Sequence, residues 1–138
     1  MSEHKRGLTL APPLRPASAR WEMAADQRSR AQSRAARRAR ESEAVSLAIA
    51  EHYSPRGAGD EPPFSAAGAL LALADKLDHV AGAFVAGKSP SGSEDPYGVR
   101  RAANGAIRIL IERDWALDLR AAAMEITRVF FAADPDLP

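Results

Sequence analysis

After Ser65 the chain reads AAGALLALADKLDHVAGAFVAG, with Leu70, Leu73, Ala74, Leu77, Val80, Ala81 and Phe84 recurring every three or four residues. That period is helical, and the run is too long for a strand. A helix with so wide an apolar face needs other helices to cover it. No strand reads convincingly anywhere, and there is no internal repeat. Apolar residues make up 46% of the chain but aromatics only 6%, so the core is expected to be built on Ala, Leu, Ile and Val. The 138 residues suffice for one domain of ordinary size.

The remaining helices are marked by local chemistry. Ser42 is placed to cap a helix carrying Val45, Ala48, Ile49 and His52, with Glu43 near the positive end of the dipole. Pro55, Gly57, Gly59, Pro62 and Pro63 then break the chain. Ser65 is the expected cap of the long helix and Gly87 its stop. Asp95 and Pro96 predict an N-cap and a first helical residue, followed by a stripe of Val99, Ala102, Ala103, Ala106, Ile107 and Leu110. Beside that stripe Arg101, Asn104 and Arg108 form a polar ridge. Asp118 predicts a last helix with Leu119, Ala122, Ala123, Ile126, Val129 and Phe130. The expected architecture is all-α, with three or four helices.

Charge divides the chain. Residues 1–40 hold ten Lys+Arg against three Asp+Glu, and residues 41–138 hold nine against fifteen. The first piece is proline-punctuated. The second, RSRAQSRAARRAR, favours helix by propensity but offers no apolar stripe beyond alanine. Residues 1–40 therefore read as a disordered or frayed basic arm, or as a nucleic-acid-binding arm. No cysteine is present, which excludes disulfides and thiolate metal sites. No run reads as a membrane span or a signal peptide, and a cytoplasmic protein is the expectation.

Phosphate-loop, dinucleotide and nucleophile-elbow signatures are missing, so no catalytic residue is assigned. Asp75, Asp78 and His79 share one helix face and could ligate a divalent metal. They could equally be an Asp75–His79 pair beside a solvated Asp78. LADKLDHV also resembles the last motif of HD-type phosphohydrolases, with Asp75 at the metal-binding position. The His-Asp dipeptide of that family is missing: His4, His52 and His79 precede Lys, Tyr and Val. A degenerate HD-type hydrolase and a helical nucleic-acid-binding adaptor are the alternatives to the reading that follows.

An ordered series of motifs is more specific. It comprises His52, Tyr53 and Pro55; Gly59, Asp60 and Pro63; Asp75, Lys76 and Asp78; Gly87, Pro90 and Gly92; Asp95 and Pro96; and Arg100 and Arg101. Together these resemble the HD-like region of the β subunit of bacterial heterotetrameric glycyl-tRNA synthetase, over roughly residues 41–120. The resemblance implies an HD-domain-like, partial helical bundle at 41–131, behind the arm at 1–40 and before a tail at 132–138. It implies a fragment that supports attachment of glycine to tRNA(Gly) without catalysing it. The implied partners are the α subunit, in an α2β2 assembly, and tRNA(Gly). No cofactor is expected on the fragment itself; ATP with Mg serves the intact enzyme. Lys88, Arg100, Arg101 and Arg108 are the implied tRNA anchors, against readings as surface charge or as contacts to another part of the β subunit. Before Glu41 the text departs from the family, and residues 1–40 are expected to be a non-native reading frame from a shifted or miscalled start.

Overall fold

The computed structural model describes residues 17–91 and 93–135. The first 16 residues, Gly92 and the last three residues lie outside the described residues. So do the corresponding parts of the arm, the Gly92 motif position and the tail.

Three of the expected caps set helix starts. Ser42, Ser65 and Asp118 each adopt extended backbone and accept a backbone N–H three residues on, from Val45, Gly68 and Ala121. They open α2 (Glu43–Glu51), α3 (Ala66–Val85) and α5 (Leu119–Ala133). Each such bond satisfies a donor that the first turn would leave unpaired, worth about 1 kcal/mol. Gly87 ends α3 with φ 66°, the left-handed stop that its lack of Cβ allows.

The helix after the 86–98 loop begins later than the sequence suggests. α4 is Val99–Arg113, and its N-cap is Gly98 at φ 69°, so Asp95 and Pro96 are neither cap nor first helical residue. Residues 95–98 form a turn closed by a bond from Gly98 N to Asp95 O. The Asp95 side chain reaches over that turn and accepts the Arg101 N–H at 3.2 Å. Its capping role survives, displaced by one turn.

A fifth helix, α1 (Ala17–Arg38), lies in the basic segment. Among its described side chains, two serines reach α2. The Ser29 hydroxyl lies 2.7 and 2.8 Å from the carbonyls of Ile49 and Ala50, and Ser33 donates to Ser46 O at 2.7 Å. Both serines are buried. The carbonyls reached by Ser29 belong to the last turn of α2, where no further helical N–H can reach them.

α3 is the centre of the arrangement and touches α2, α4 and α5, while α1 packs on α2. The core joins Ala69, Ala72 and Leu73 of α3 to Ala106 and Ile109 of α4, flanked by Leu77, Leu110 and Trp115. The buried stripe of α3 is thus rotated toward its small residues. Leu70 and Phe84, expected inside, are 62% and 57% exposed. Val45, Ile107 and Val129 of the other expected stripes are also exposed. The contact between α3 and α4 combines alanines with Leu73 and Ile109, both buried in it. No strand occurs among the described residues.

Candidate functional site

The loop between α2 and α3 carries most of the early motif residues, and charged groups from three helices fix it. Lys76 is the deepest of them, at 5% exposure. Its Nζ donates to Tyr53 O at 3.2 Å. Gly105 of α4 makes this possible: a Cβ there would lie 2.7 Å from Lys76 Cε and 3.3 Å from Pro55 O. Burial pulls the ammonium below the usual lysine pKa, against the opposing pull of the Asp75 and Asp60 charges.

Asp60 folds the loop on itself. Its Oδ2 accepts both the backbone N–H and Nε of Arg56, each at 2.9 Å. The Arg56 side-chain bond holds its carboxyl below the usual range, although burial works the other way. From α4, Arg108 donates to the carbonyls of Ala58 and Asp60 at 3.0 and 2.7 Å, and through Nε to Glu112 at 2.8 Å. Arg113 donates to the carbonyls of Pro63 and Phe64. From α2, Glu51 accepts the N–H groups of Phe64 and Ser65 and the Ser65 hydroxyl. These charges meet backbone groups that would otherwise lack partners in a loop with no secondary structure. The arrangement is a clamp: Lys76, Arg108 and Arg113 donate to carbonyls, and the Ser65 hydroxyl that donates to Glu51 also accepts Gly68 N–H as the cap of α3.

A second cluster lies where the 86–98 loop enters α4. Lys88 Nζ stands 5.8 Å from the centre of the Tyr97 ring. His79 Nε2 meets Tyr97 O at 2.8 Å, a contact that requires a proton on that nitrogen. Arg100 is exposed and reaches Glu94 O at 3.5 Å. Arg101 is half-buried, its guanidinium lying against Gly98. Burial of Asp95 works to raise its pKa. The N–H groups of Arg101, Arg100 and Val99, with the Arg101 charge, outweigh this and leave the carboxyl ionised below its ordinary value.

Of the residues named from sequence, Lys88, Arg100 and Arg101 each lie against the 94–98 segment that leads into α4. Arg108 does not join them: it lies two turns further on and faces the clamped loop. Asp75, Asp78 and His79 are exposed on α3, and the His79 ring engages Tyr97 rather than Asp75. Among the described residues no three His, Asp or Glu side chains form a group that could hold a metal ion. Glu51, Arg113, Ser29 and Ser33 carried no sequence signal of their roles. Lys76 carried one only as a member of the Asp75, Lys76 and Asp78 motif.

Comparison with known families now bears on this geometry. The family described as glycyl-tRNA synthetase beta subunit matches residues 33–134, about three-quarters of the chain. The chain belongs to this family. The match begins inside α1 and covers both the clamped loop and the α4 entrance. Among individual relatives, the glycine–tRNA ligase beta subunit of Bacillus subtilis is 52% identical over 77 residues, covering 56% of this chain and 11% of that one. That of Pseudomonas aeruginosa is 56% identical over 82 residues, covering 59% and 12%. The Pectobacterium carotovorum protein is 47% identical over 92 residues, covering 67% and 13%. The chain thus spans 11% to 13% of the length of these relatives. Among the described residues no helix is long and apolar enough to cross a membrane.

Proposed function

We propose that the chain works as part of a glycine–tRNA ligase β subunit, supporting ATP-dependent attachment of glycine to tRNA(Gly) in the cytoplasm. Its part is tRNA contact and subunit structure; the reacting groups, with ATP and Mg, belong to an α-subunit partner. In this reading the helical body is the HD-like region of that subunit. One observation supports it: the family match over residues 33–134 takes in both the clamped loop and the α4 entrance, and named relatives are about half identical over 77 to 92 residues. Lys88, Arg100 and Arg101 at the α4 entrance are the tRNA-facing groups, and they contact phosphate rather than bases. Arg108, committed to loop carbonyls, supports that surface from within.

The test uses the whole chain with a family α subunit and tRNA(Gly) transcript. Co-elution of the chain with the α subunit is expected, and separate elution sinks the subunit reading. In filter binding, Lys88→Ala with Arg100→Ala should weaken tRNA binding and reduce the log–log salt slope by roughly 1.4 to 1.8. Unchanged affinity and slope remove the tRNA contact from this surface.

A further inference from the structure

The 95–98 turn at the α4 entrance also carries Tyr97, which is 53% exposed. A single exposed ring on a protein surface needs no special explanation. Three features set this one apart. The first is that its backbone is fixed. His79 Nε2 donates to Tyr97 O at 2.8 Å, Gly98 N closes the turn on Asp95 O at 3.1 Å, and Asp95 Oδ2 accepts the Arg101 N–H at 3.2 Å. The turn that presents the ring is thus tied to both α3 and α4.

The second feature is a cation held over the ring. Lys88 Nζ stands 5.8 Å from the ring centre. The Lys88 backbone is fixed as well: its N–H bonds back to Ala83 O at 2.7 Å, behind the left-handed Gly87. Its side chain is exposed. Attraction between a cation and a ring face reaches to about 6 Å, so this contact lies near its outer limit. A flat partner laid on the ring displaces the ammonium at little cost and leaves it beside any anion joined to that partner. The third feature is a second exposed cation on the same segment, Arg100, which reaches Glu94 O.

A pinned ring flanked by cations suits a ligand that is both flat and anionic. An unpaired nucleotide is such a ligand, with a π face for the ring and a phosphate for the ammonium. A paired base is not, because its faces are already stacked within the duplex. We infer that Tyr97 is a stacking platform for an unpaired base of RNA, with Lys88 meeting the phosphate of that strand. This rests on the ligase reading and adds a base contact to a surface otherwise confined to phosphates. Stacking accepts any base, so the platform selects unpaired over paired nucleotides without reading their identity.

The experiment is fluorescence anisotropy of the full chain with a labelled 12-nucleotide RNA, and with the same strand annealed to its complement, from 50 to 200 mM KCl. Tyr97→Ala should lower affinity for the single strand about fivefold or more. The salt slope should not change, because stacking releases no counterions, and affinity for the duplex should hold. Tyr97→Trp should bind at least as well as the original. Tyr97→Leu keeps apolar bulk without a π face and should behave as alanine does. The ring is exposed, so far-UV helicity should hold in all three. Lys88→Ala should lower the slope on the single strand by about 0.7. A Tyr97→Ala protein that binds the strand as the original does overturns the proposal. So does an equal loss on strand and duplex, or full binding by the leucine variant. Lys88→Ala with Arg100→Ala separates the platform from the ligase reading. If that protein loses affinity and slope while Tyr97→Ala binds normally, the phosphate contacts stand and the platform falls. Loss confined to the Tyr97 variants keeps the platform and removes the phosphate contacts. If neither change matters, or the original binds neither probe, both fall.

Discussion

Lys76 concentrates the physics of this chain in one side chain. It sits in the core as a cation, stabilised by Tyr53 O and admitted by Gly105. Its pKa lies below the ordinary 10.5 in the folded state, chiefly through burial. Between that lowered value and 10.5 the unfolded chain binds more protons than the folded one, so the Lys76 contribution to stability rises with pH there. Lys76→Met keeps the aliphatic stem and removes the titration. The stability difference, wild type minus variant, should therefore increase from pH 8 toward pH 10.5 in urea melts; a flat difference means that the amine is solvated. Gly105→Ala tests the same contact from the other side. Helix propensity gains up to about 1 kcal/mol, but overpacking against Lys76 and Pro55 costs about 1–3 kcal/mol. A net loss on the order of 1 kcal/mol is expected in the urea midpoint, and a neutral result means that the lysine chain yields. The sequence placed Lys76 only as a member of the Asp75, Lys76 and Asp78 motif. It could not show the partner carbonyl, which lies 23 residues away on the far side of a loop.

At the scale of elements, what could be read in advance was what is local. Ser42, Ser65, Asp118 and Gly87 act within three or four residues of themselves, and each ends or begins a helix as its chemistry requires. Asp95–Pro96 misled because an equally local signal, Gly98 in the left-handed region, lies three residues on and sets the α4 start instead. The loop clamp was illegible for the opposite reason: Arg108 and Arg113 reach carbonyls about 50 residues back. Arg108→Ala leaves two loop carbonyls without a charged donor and should cost about 1–3 kcal/mol, read as a lower urea midpoint. Faster hydrogen exchange in residues 56–61 should accompany it. Arg108→Lys should recover less than half, because one ammonium cannot span Ala58 O, Asp60 O and Glu112 as the planar fork does. Full recovery by lysine would mean that charge alone matters at this position. The clamp also responds to acid. The Asp60 carboxyl is held low mainly by its Arg56 bond, so its contribution is present above the ordinary value of 3.8 and is lost as pH falls through the lowered one. Asp60→Asn should be less stable at pH 6, with the difference shrinking as pH falls below 3.8 and through the lowered value.

For the molecule as a whole, helix class and order were legible, and the expected face of α3 was legible in part: Leu73 and Ala81 are buried and Leu77 and Val80 half-buried, but Leu70 and Phe84 are not. Weighting by side-chain size put Leu70 and Phe84 beside Leu73, whereas the structure turns Ala69 and Ala72 inward with Leu73, against Ala106 and Ile109 of α4. Leu70 and Phe84 are left at the surface. α5 has no buried residue, and with α3 it borders an open groove of about 500 Å³ lined by Leu77, Val80, Phe84, Ile126 and Phe131. Phe84 and Phe131 are 57% and 41% exposed on its rim. Contiguous exposed apolar surface of this kind binds amphipathic dyes in the native state. The chain should therefore enhance ANS fluorescence in buffer without denaturant. Phe84→Ser with Phe131→Ser should cut that enhancement by at least half. Both rings already meet water, so the urea midpoint should move by no more than about 1 kcal/mol equivalent. A large loss of stability would instead mean that the two rings close the groove in solution and belong to the core, and dye binding that survives the double change would place the apolar surface elsewhere on the molecule.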